Sequence, residues 1–256
     1  VRTGMQFFLS EEYRVVIGSC TANANQVINF INMQYMNWRC QDDFQICHAA
    51  GVVLNDVGFG ISAKSGGGKS TLALFLMNRG ATFVSNDRVL VRDTGLGWAM
   101  SGIPKMPRVN PGTLLNNPKL KGILPEERRS VLGLLGSNEL WMLEEKYDVD
   151  IEQVYGQGMF TMDASLEQYV VLDWDRDSNQ ETSLGWVTLG ERPDLLPIIM
   201  KSGGPFFEID GKPASQQGAL KRPDAYLAHF GSLPVGLFTG RVDFEFAADA
   251  LMQTSF

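Results

Sequence analysis

The hydrophobic pattern of the chain is most regular near residues 51–84. Short apolar runs there are bounded by turn residues, as in buried strands, and one stretch repeats apolar side chains at helical spacing before it stops at Gly80. Asn55 and Asp56 separate the first two runs as the turn of a hairpin. The pattern predicts strands over 51–54 and 57–61, a helix over 70–79 and a strand over 81–84.

The same patterns extend to both ends of the chain. They predict strands over 13–18, 169–172 and 235–240, and helices over 23–35, 125–147 and 244–252. The first of these strands and the first helix are expected to pack on a sheet edge. With no linker or repeat evident, the 256 residues are expected to form one α/β domain over 1–256, with an edge strand and helix in 1–47, a central core in 48–160 and further strands and helices in 161–256.

A glycine-rich loop lies between the second predicted strand and the first predicted core helix. Residues 63–70, called the glycine loop below, read Ala-Lys-Ser-Gly-Gly-Gly-Lys-Ser and fit G-x-x-x-x-G-K-[ST] except for Ala63 in the first position. Such a backbone and the helix N-terminus favour a polyphosphate, with Lys69 at the β/γ-phosphates and Ser70 on a magnesium ion. The residues predicted to bind this polyphosphate are Ser65, Gly66, Gly67, Gly68, Lys69, Ser70 and Thr71, which makes 48–160 the predicted nucleotide-binding core. The alternative is a glycine turn that happens to end in Lys-Ser.

An acidic residue follows the next predicted strand. Asp87 comes directly after Ser85 and Asn86. A carboxylate at the carboxyl end of a strand beside a phosphate loop is where a magnesium ligand or catalytic acid is expected. Asp87 is therefore a candidate catalytic and metal-binding residue. The alternative is an aspartate that only caps a turn.

These residues resemble the HPr kinase/phosphorylases and their wider group of related P-loop proteins, whose core is also similar to phosphoenolpyruvate carboxykinase. That family has a histidine, the loop, a helix ending in Arg-Gly and then two adjacent aspartates. Here His48 lies 21 residues before Lys69, and Asn86 and Asp87 lie 17 and 18 residues after it. The resemblance covers residues 48–91 well and the rest faintly.

The resemblance implies a mixed β-sheet flanked by helices and an ATP- and Mg²⁺-dependent kinase that phosphorylates a hydroxyl, with a protein serine as one option. It also implies that Ser70 and Asp87 serve magnesium, that His48 lies beside the reacting phosphoryl group, and that the protein is a homo-oligomer. Asn86 departs from the family, because an amide cannot accept a proton at neutral pH. Either Asp87 or His48 then acts as base, or the activity is weak or altered. A degenerate ATP sensor and a carboxykinase-like or small-molecule phosphotransferase remain alternatives.

Two further segments carry candidate residues. Residues 153–158 have the outline of a family stretch that supplies a second acid near the metal, but that acid is changed here, and the adjacent Glu152 is the candidate to replace it. Lys105 and Arg108 lie in a proline-braced loop and are candidate phosphate contacts, since cations there would stabilise a transferring phosphoryl group. The alternatives are that Glu152 is only a solvated glutamate and that the loop with Lys105 and Arg108 is only a solvated loop.

Composition narrows the partners. The net charge of −7 argues against a nucleic-acid-binding surface, for which a basic stripe is expected. No apolar run approaches the ~18 residues of a membrane span and none fits a signal peptide, so a cytoplasmic protein is expected. The three cysteines lack metal-ligand spacing and are expected to be reduced core thiols. The chain begins with Val1, which is compatible with a preceding segment.

Overall fold

The computed structural model describes residues 3–10, 12–143, 145–209, 212–213 and 223–253. The strands are β1 Gln6–Leu9, β2 Arg14–Ile17, β3 Gln45–Cys47, β4 Ala49–Leu54, β5 Val57–Ala63, β6 Thr82–Ser85, β7 Val89–Asp93, β8 Trp98–Ser101, β9 Arg108–Val109, β10 Tyr147–Asp148, β11 Asp163–Leu166, β12 Gln168–Leu172, β13 Ser183–Thr188, β14 Glu208–Ile209, β15 Lys212–Pro213 and β16 Pro234–Thr239. The helices are α1 Ala24–Cys40, α2 Lys69–Asn78, α3 Pro111–Leu115, α4 Glu126–Leu132, α5 Ser137–Met142, α6 Ile151–Tyr155, α7 Leu196–Ile199, α8 Pro223–Phe230 and α9 Phe244–Gln253, with 3-10 turns at Lys121–Ile123 and Pro193–Leu195.

The largest sheet has the order β13-β16-β12-β5-β4-β6 and is mixed. Strand β12 runs parallel to both β5 and β16, whereas β4 is antiparallel to β5 and β6. A second sheet has the order β11-β8-β7-β3. The mixed α/β architecture with a mixed sheet flanked by helices is confirmed.

Two apolar cores lie against the large sheet. One contains the inward side chains of α2 and α9, including Leu72, Leu76 and Leu251, and the other contains residues of α7, α8 and the second sheet, including Ile199 and Phe230. Every residue of β12 is buried, as expected for a central strand covered on both faces. This double burial explains the continuous apolar run over 169–172.

Strand direction brings three chain segments to one edge of the sheet. Strands β5 and β12 are parallel, and β6 runs in the same direction because it is separated from β5 by the antiparallel β4. Their carboxyl ends therefore share an edge, where ligands of open α/β sheets bind. The glycine loop follows β5, Asn86 and Asp87 follow β6, and Asp173 and Trp174 follow β12.

Three predicted elements differ from the structure in detail. The helix over 125–147 is two shorter helices, α4 and α5, because glycines at 133 and 136 interrupt it. The strand over 13–18 forms β2 but pairs with β1 in a separate hairpin, and the helix over 23–35 extends to Cys40 and packs on β3 and β7 of the second sheet. The other predicted strands and helices are confirmed to within two residues.

The cysteines are free, but they do not share one environment. Cys47 is buried and Cys40 is partly buried, whereas Cys20 is exposed. The prediction of core thiols is therefore correct for Cys47 and wrong for Cys20. In the described part of the chain, no helix is long and apolar enough to span a membrane.

Candidate functional site

The glycine loop turns sharply from the end of β5 into α2. Gly66 has φ +76° and Gly68 has φ +96°, both in the left-handed region that favours glycine. The Gly67 N–H donates to the Lys64 carbonyl at 2.9 Å, and the Leu72 N–H donates to the Gly68 carbonyl at 2.8 Å as the helix begins. The loop thus places its backbone at the positive N-terminal end of a ten-residue helix.

Two aromatic rings support the loop from the β12 side. The Trp174 indole N–H donates to the Gly67 carbonyl at 2.9 Å. The Phe244 ring packs edge-on against Trp174 at 5.1 Å, and a Cβ at Gly68 would lie 2.7 Å from that ring. Glycine is therefore required at position 68 both by backbone conformation and by this close approach.

A cavity of about 270 Å³, called the loop cavity below, lies over the glycine loop. All seven residues predicted to bind ATP line it, from Ser65 to Thr71. His48 and Asp87 line it as well, and so do Arg108, Lys146 and Lys201. The structure thus brings together the loop, the predicted histidine and the predicted acid, which are far apart in sequence.

Ser70 is bonded to the residue that departs from the family pattern. Its hydroxyl donates to the Asn86 side-chain oxygen at 2.7 Å. Both residues line a second cavity next to the loop cavity. Asn86 therefore occupies a place at the site rather than on an unrelated turn.

Asp87 has an unusual backbone conformation, and its carboxylate is surrounded by cationic side chains and His48. Its φ is +71°, which is rare for a residue with a side chain. Its carboxylate lies 3.1 Å from Lys201 Nζ, 3.1 Å from Arg88 Nη1 and 3.5 Å from His48 Nε2. Burial alone would raise the pKa of Asp87, but the hydrogen bond from His48 and the charges of Lys201 and Arg88 outweigh it and hold that pKa far below its usual range.

His48 lies at the junction of β3 and β4, and its backbone N–H donates to the Ile199 carbonyl at 2.6 Å. The hydrogen bond to Asp87 would raise the pKa of His48, but burial and the charges of Lys69 and Lys201 together outweigh it and lower that pKa. The imidazole is therefore mainly neutral at pH 7 and able to accept a proton.

Lys69, the first residue of α2, also has a lowered pKa. Burial is the largest cause, the nearby charges of Lys201 and Lys146 add to it, and Asp87 opposes it, so that the pKa of Lys69 falls to about 8. This lysine forms no ion pair with the described residues. A bound anion would raise the pKa of Lys69, because negative charge favours the protonated amine.

The oxygen atoms at this site suit magnesium. The Ser70 hydroxyl, the Asn86 amide oxygen and the Asp87 carboxylate are hard donors that line the same cavity. Mg²⁺ typically takes one or two protein carboxylates and completes its shell with phosphates and water. Among the described residues no group of three or more His, Cys, Asp or Glu side chains could hold a metal on its own. A magnesium ion that arrives with a nucleotide fits this donor set better than a permanent all-protein metal site.

The remaining candidates are placed differently. Arg108 lines both the loop cavity and the second cavity next to it, and Lys105 lines the second one. Glu152 accepts a hydrogen bond from the Gly158 N–H at 3.2 Å and lines another cavity, with Phe83 and Phe160, instead of the two cavities at the loop. The role of Glu152 as a second acid stays a prediction.

Several site residues were not identified from the sequence. Lys201 is separated from Asp87 by 114 residues and carries no motif. Arg88 and Lys146 belong to no motif and are distinguished only by their charge. Trp174 lies in a polar stretch of sequence that carries no motif. The placement of these four follows from strand order, which the sequence pattern does not reveal.

Comparisons with known proteins add little to this picture. No protein-family model matches the chain, and no curated protein matches its sequence. Among solved structures, the chain is similar to the Hpr(Ser) kinase/phosphatase from Coxiella burnetii, with a TM-score of 0.40 and 12% sequence identity. That similarity covers 81% of this chain and 94% of the other. A similarity at this level does not show a shared family or function.

Proposed function

We propose that this protein is a kinase that uses ATP and magnesium to phosphorylate a hydroxyl group. One observation carries the proposal: a glycine loop ending in Lys69 and Ser70 opens α2 and shares one cavity with Asp87 and His48. Catalysis of phosphoryl transfer consists mainly of positioning and of stabilising negative charge. A cavity with several cations and two groups that can handle a proton fits that requirement.

The chain supplies separate groups for each part of the reaction. The loop backbone and Lys69 bind the β- and γ-phosphates, and Arg108, Lys146 and Lys201 add positive charge around the same cavity. Ser70, Asn86 and Asp87 would hold magnesium, which neutralises charge on the phosphates when bound. Trp174 fixes the loop through the Gly67 carbonyl. The seven loop residues and Arg108 thus act on the nucleotide.

His48 is the better proton acceptor of the two candidates. The Asp87 carboxylate is surrounded by Lys201, Arg88 and His48, which lower its pKa and make it a weak base. The His48 imidazole is neutral near pH 7 and faces that carboxylate. In this assignment Asp87 orients the imidazole and stabilises it once it is protonated, in the manner of carboxylate–histidine pairs in hydrolases.

A second candidate function is an ATP-binding sensor without transfer. Asn86 favours it, because the amide bonded to Ser70 supplies no second carboxylate for base or metal duties. The sensor and the kinase share the nucleotide site and differ only in turnover.

Turnover is therefore the decisive measurement. Purified protein is incubated with magnesium and γ-labelled ATP, together with separate protein and small-molecule fractions of a cell extract. The kinase proposal predicts label in an acceptor and stoichiometric ADP, both lost in Lys69→Met and retained in Lys121→Ala, an exposed lysine in a 3-10 turn. Tight ATP binding without label in any fraction or in water would favour the sensor.

A further inference from the structure

A second cavity of about 350 Å³ adjoins the loop cavity. We call it the α1 cavity, because Asn29, Asn32, Met33 and Met36 of α1 form one of its walls. The two cavities share five lining residues: Lys69, Ser70, Asp87, Arg108 and Lys146. A molecule in the α1 cavity would therefore meet a nucleotide bound over the glycine loop at Ser70 and Asp87.

The α1 cavity is strongly cationic, with five basic side chains and one carboxylate in its lining. Arg88 pairs with Asp87, and Arg108 pairs with Asp148 outside the cavity. Within the described residues, Lys105 and Lys146 have no carboxylate at ion-pair distance, and Lys105 donates only to the neutral Asn29 oxygen at 3.1 Å. Cations clustered in a concave wall without counter-charges attract an anion.

Two buried donors in the lining of the α1 cavity have no partner among the described residues. The Asn32 side-chain nitrogen is fully shielded from solvent, in a residue only 6% exposed, and makes no hydrogen bond in the described structure. The Arg88 Nε is in the same state. Buried donors are nearly always satisfied, because leaving one unpaired is costly. Both residues line the α1 cavity, so a small rotation of either side chain would present its donor to an oxygen atom of a ligand bound there.

The size of the α1 cavity fits a small molecule. A volume of about 350 Å³ lies at the lower end of the range for small-molecule sites. Met33, Met36 and Ile103 supply apolar surface around the polar groups, which suits the carbon skeleton of a small metabolite.

We propose that the α1 cavity binds the phosphoryl acceptor, a small organic anion that carries a hydroxyl and a carboxylate or phosphate group. This proposal rests on the kinase function proposed above. Lys105, Arg88 and Asn32 would bind the anionic group, and the hydroxyl would lie near Asp87 and His48. In the transfer, the acceptor oxygen forms a bond to the γ-phosphorus, its proton passes to His48, and the bond from that phosphorus to the bridging oxygen breaks so that ADP leaves with the electron pair.

The test measures thermal unfolding with a non-hydrolysable ATP analogue and magnesium at saturation, so that the loop cavity is filled. D-glycerate, glycerol 3-phosphate and inorganic phosphate serve as anionic probes, and glycerol is the uncharged control. At least one anion is expected to raise the Tm further, and glycerol is not. Lys105→Met and Asn32→Leu should each lower the affinity for that anion by about tenfold or more, because a hydrogen bond to a charged group is lost.

Controls separate this proposal from the kinase proposal. Asn32→Leu removes an unpaired donor while keeping similar volume, so its own Tm should stay equal or rise, and its response to the ATP analogue should not change. Lys121→Ala should respond like the wild type. A rise in Tm with an anionic probe, but no phosphoryl transfer, would contradict the kinase proposal and still support anion binding in the α1 cavity. The assignment of the α1 cavity would be wrong if no anionic probe raised the Tm of a protein that binds the ATP analogue. It would also be wrong if Lys105→Met and Asn32→Leu bound the anion as tightly as the wild type does, or if label from ATP appeared only in a polypeptide.

Discussion

The Ser70 hydroxyl and the Asn86 side-chain oxygen are joined by a 2.7 Å hydrogen bond at the boundary of the two cavities. This bond occupies one acceptor of the amide and fixes which end of Asn86 faces the glycine loop. The amide nitrogen is then directed away from Ser70, and it remains a donor. A carboxylate at the same position would accept from Ser70 equally well but would add a negative charge.

Asn86→Asp should raise the rate of phosphoryl transfer by about tenfold or more, since general-base and metal-binding groups typically contribute ~10²- to 10⁴-fold. The cations around Asp87 would stabilise a second negative charge at position 86, and the added carboxylate should bind magnesium more tightly. ADP release across a magnesium titration measures both effects. Asn86→Ala, which loses the bond to Ser70, is the control. A slower rate in both variants would instead show that the amide is adapted to this site.

Asp87→Asn should abolish most turnover while nucleotide affinity falls far less. The change removes the carboxylate that Lys201, Arg88 and His48 share, and with it one magnesium ligand and the orientation of the imidazole. Steady-state rates and calorimetric ATP affinity are compared with those of Asp173→Asn. Asp173 pairs with Lys64 at 2.8 Å outside the loop cavity, so its variant should keep the wild-type rate. Normal turnover by Asp87→Asn would reduce Asp87 to a turn residue.

Gly68→Ala should weaken both folding and nucleotide binding more than Gly66→Ala. Both glycines have positive φ, so each alanine costs about 1–2 kcal/mol of backbone strain. Only at Gly68 would the new methyl also meet the Phe244 ring, at 2.7 Å, whereas nothing lies within 4 Å of the position at Gly66. Overpacking of this kind adds ~1–3 kcal/mol. Denaturant unfolding of both variants measures the difference, and Phe244→Leu should recover part of the loss in Gly68→Ala. Equal destabilisation at the two glycines would contradict this contact.

Local sequence patterns predicted the strands and the helix around the glycine loop, whereas the expected position of His48 beside the loop came from the family resemblance. The loop motif and the buried runs of β4, β5 and β12 depend on neighbours in sequence, which periodicity and turn chemistry describe well. The separate β1–β2 hairpin and the break between α4 and α5 depend on tertiary packing and on glycines inside an apparently periodic stretch.

The α1 cavity could not be predicted in the same way. Asn32 lies on a helix whose apolar face is otherwise core, and Arg88, Lys105 and Lys146 are distant from it in sequence. Their meeting depends on α1 packing over the second sheet, a long-range arrangement that no local pattern encodes. That the whole chain forms one domain, and that it forms oligomers, stays a prediction.

Nucleotide binding should take up a proton above pH 8, and Lys69 is the source of this effect. Burial and the charges of Lys201 and Lys146 lower the pKa of Lys69 to about 8 in the free protein, below its ordinary value of about 10.4. The free energy of unfolding should increase as pH rises above about 8 as far as Lys69 is concerned, because the folded protein has released a proton that the unfolded chain still holds. The affinity for a nucleotide should instead decrease as pH rises above about 8, since phosphates favour the charged amine and raise its pKa.

The affinity for ADP without magnesium should therefore be nearly constant below pH 8 as far as Lys69 is concerned, and should fall by up to about tenfold per pH unit between pH 8 and 10. Calorimetry at pH 9 in buffers of different ionisation enthalpy measures the proton uptake directly. Lys69→Arg keeps its charge throughout this range, because guanidinium groups do not deprotonate there. It should bind ADP with little proton uptake and a flatter pH profile. If Lys69→Arg takes up as many protons as the wild type, the uptake belongs to another group of the cavity, and Lys69 is already fully charged in the free protein.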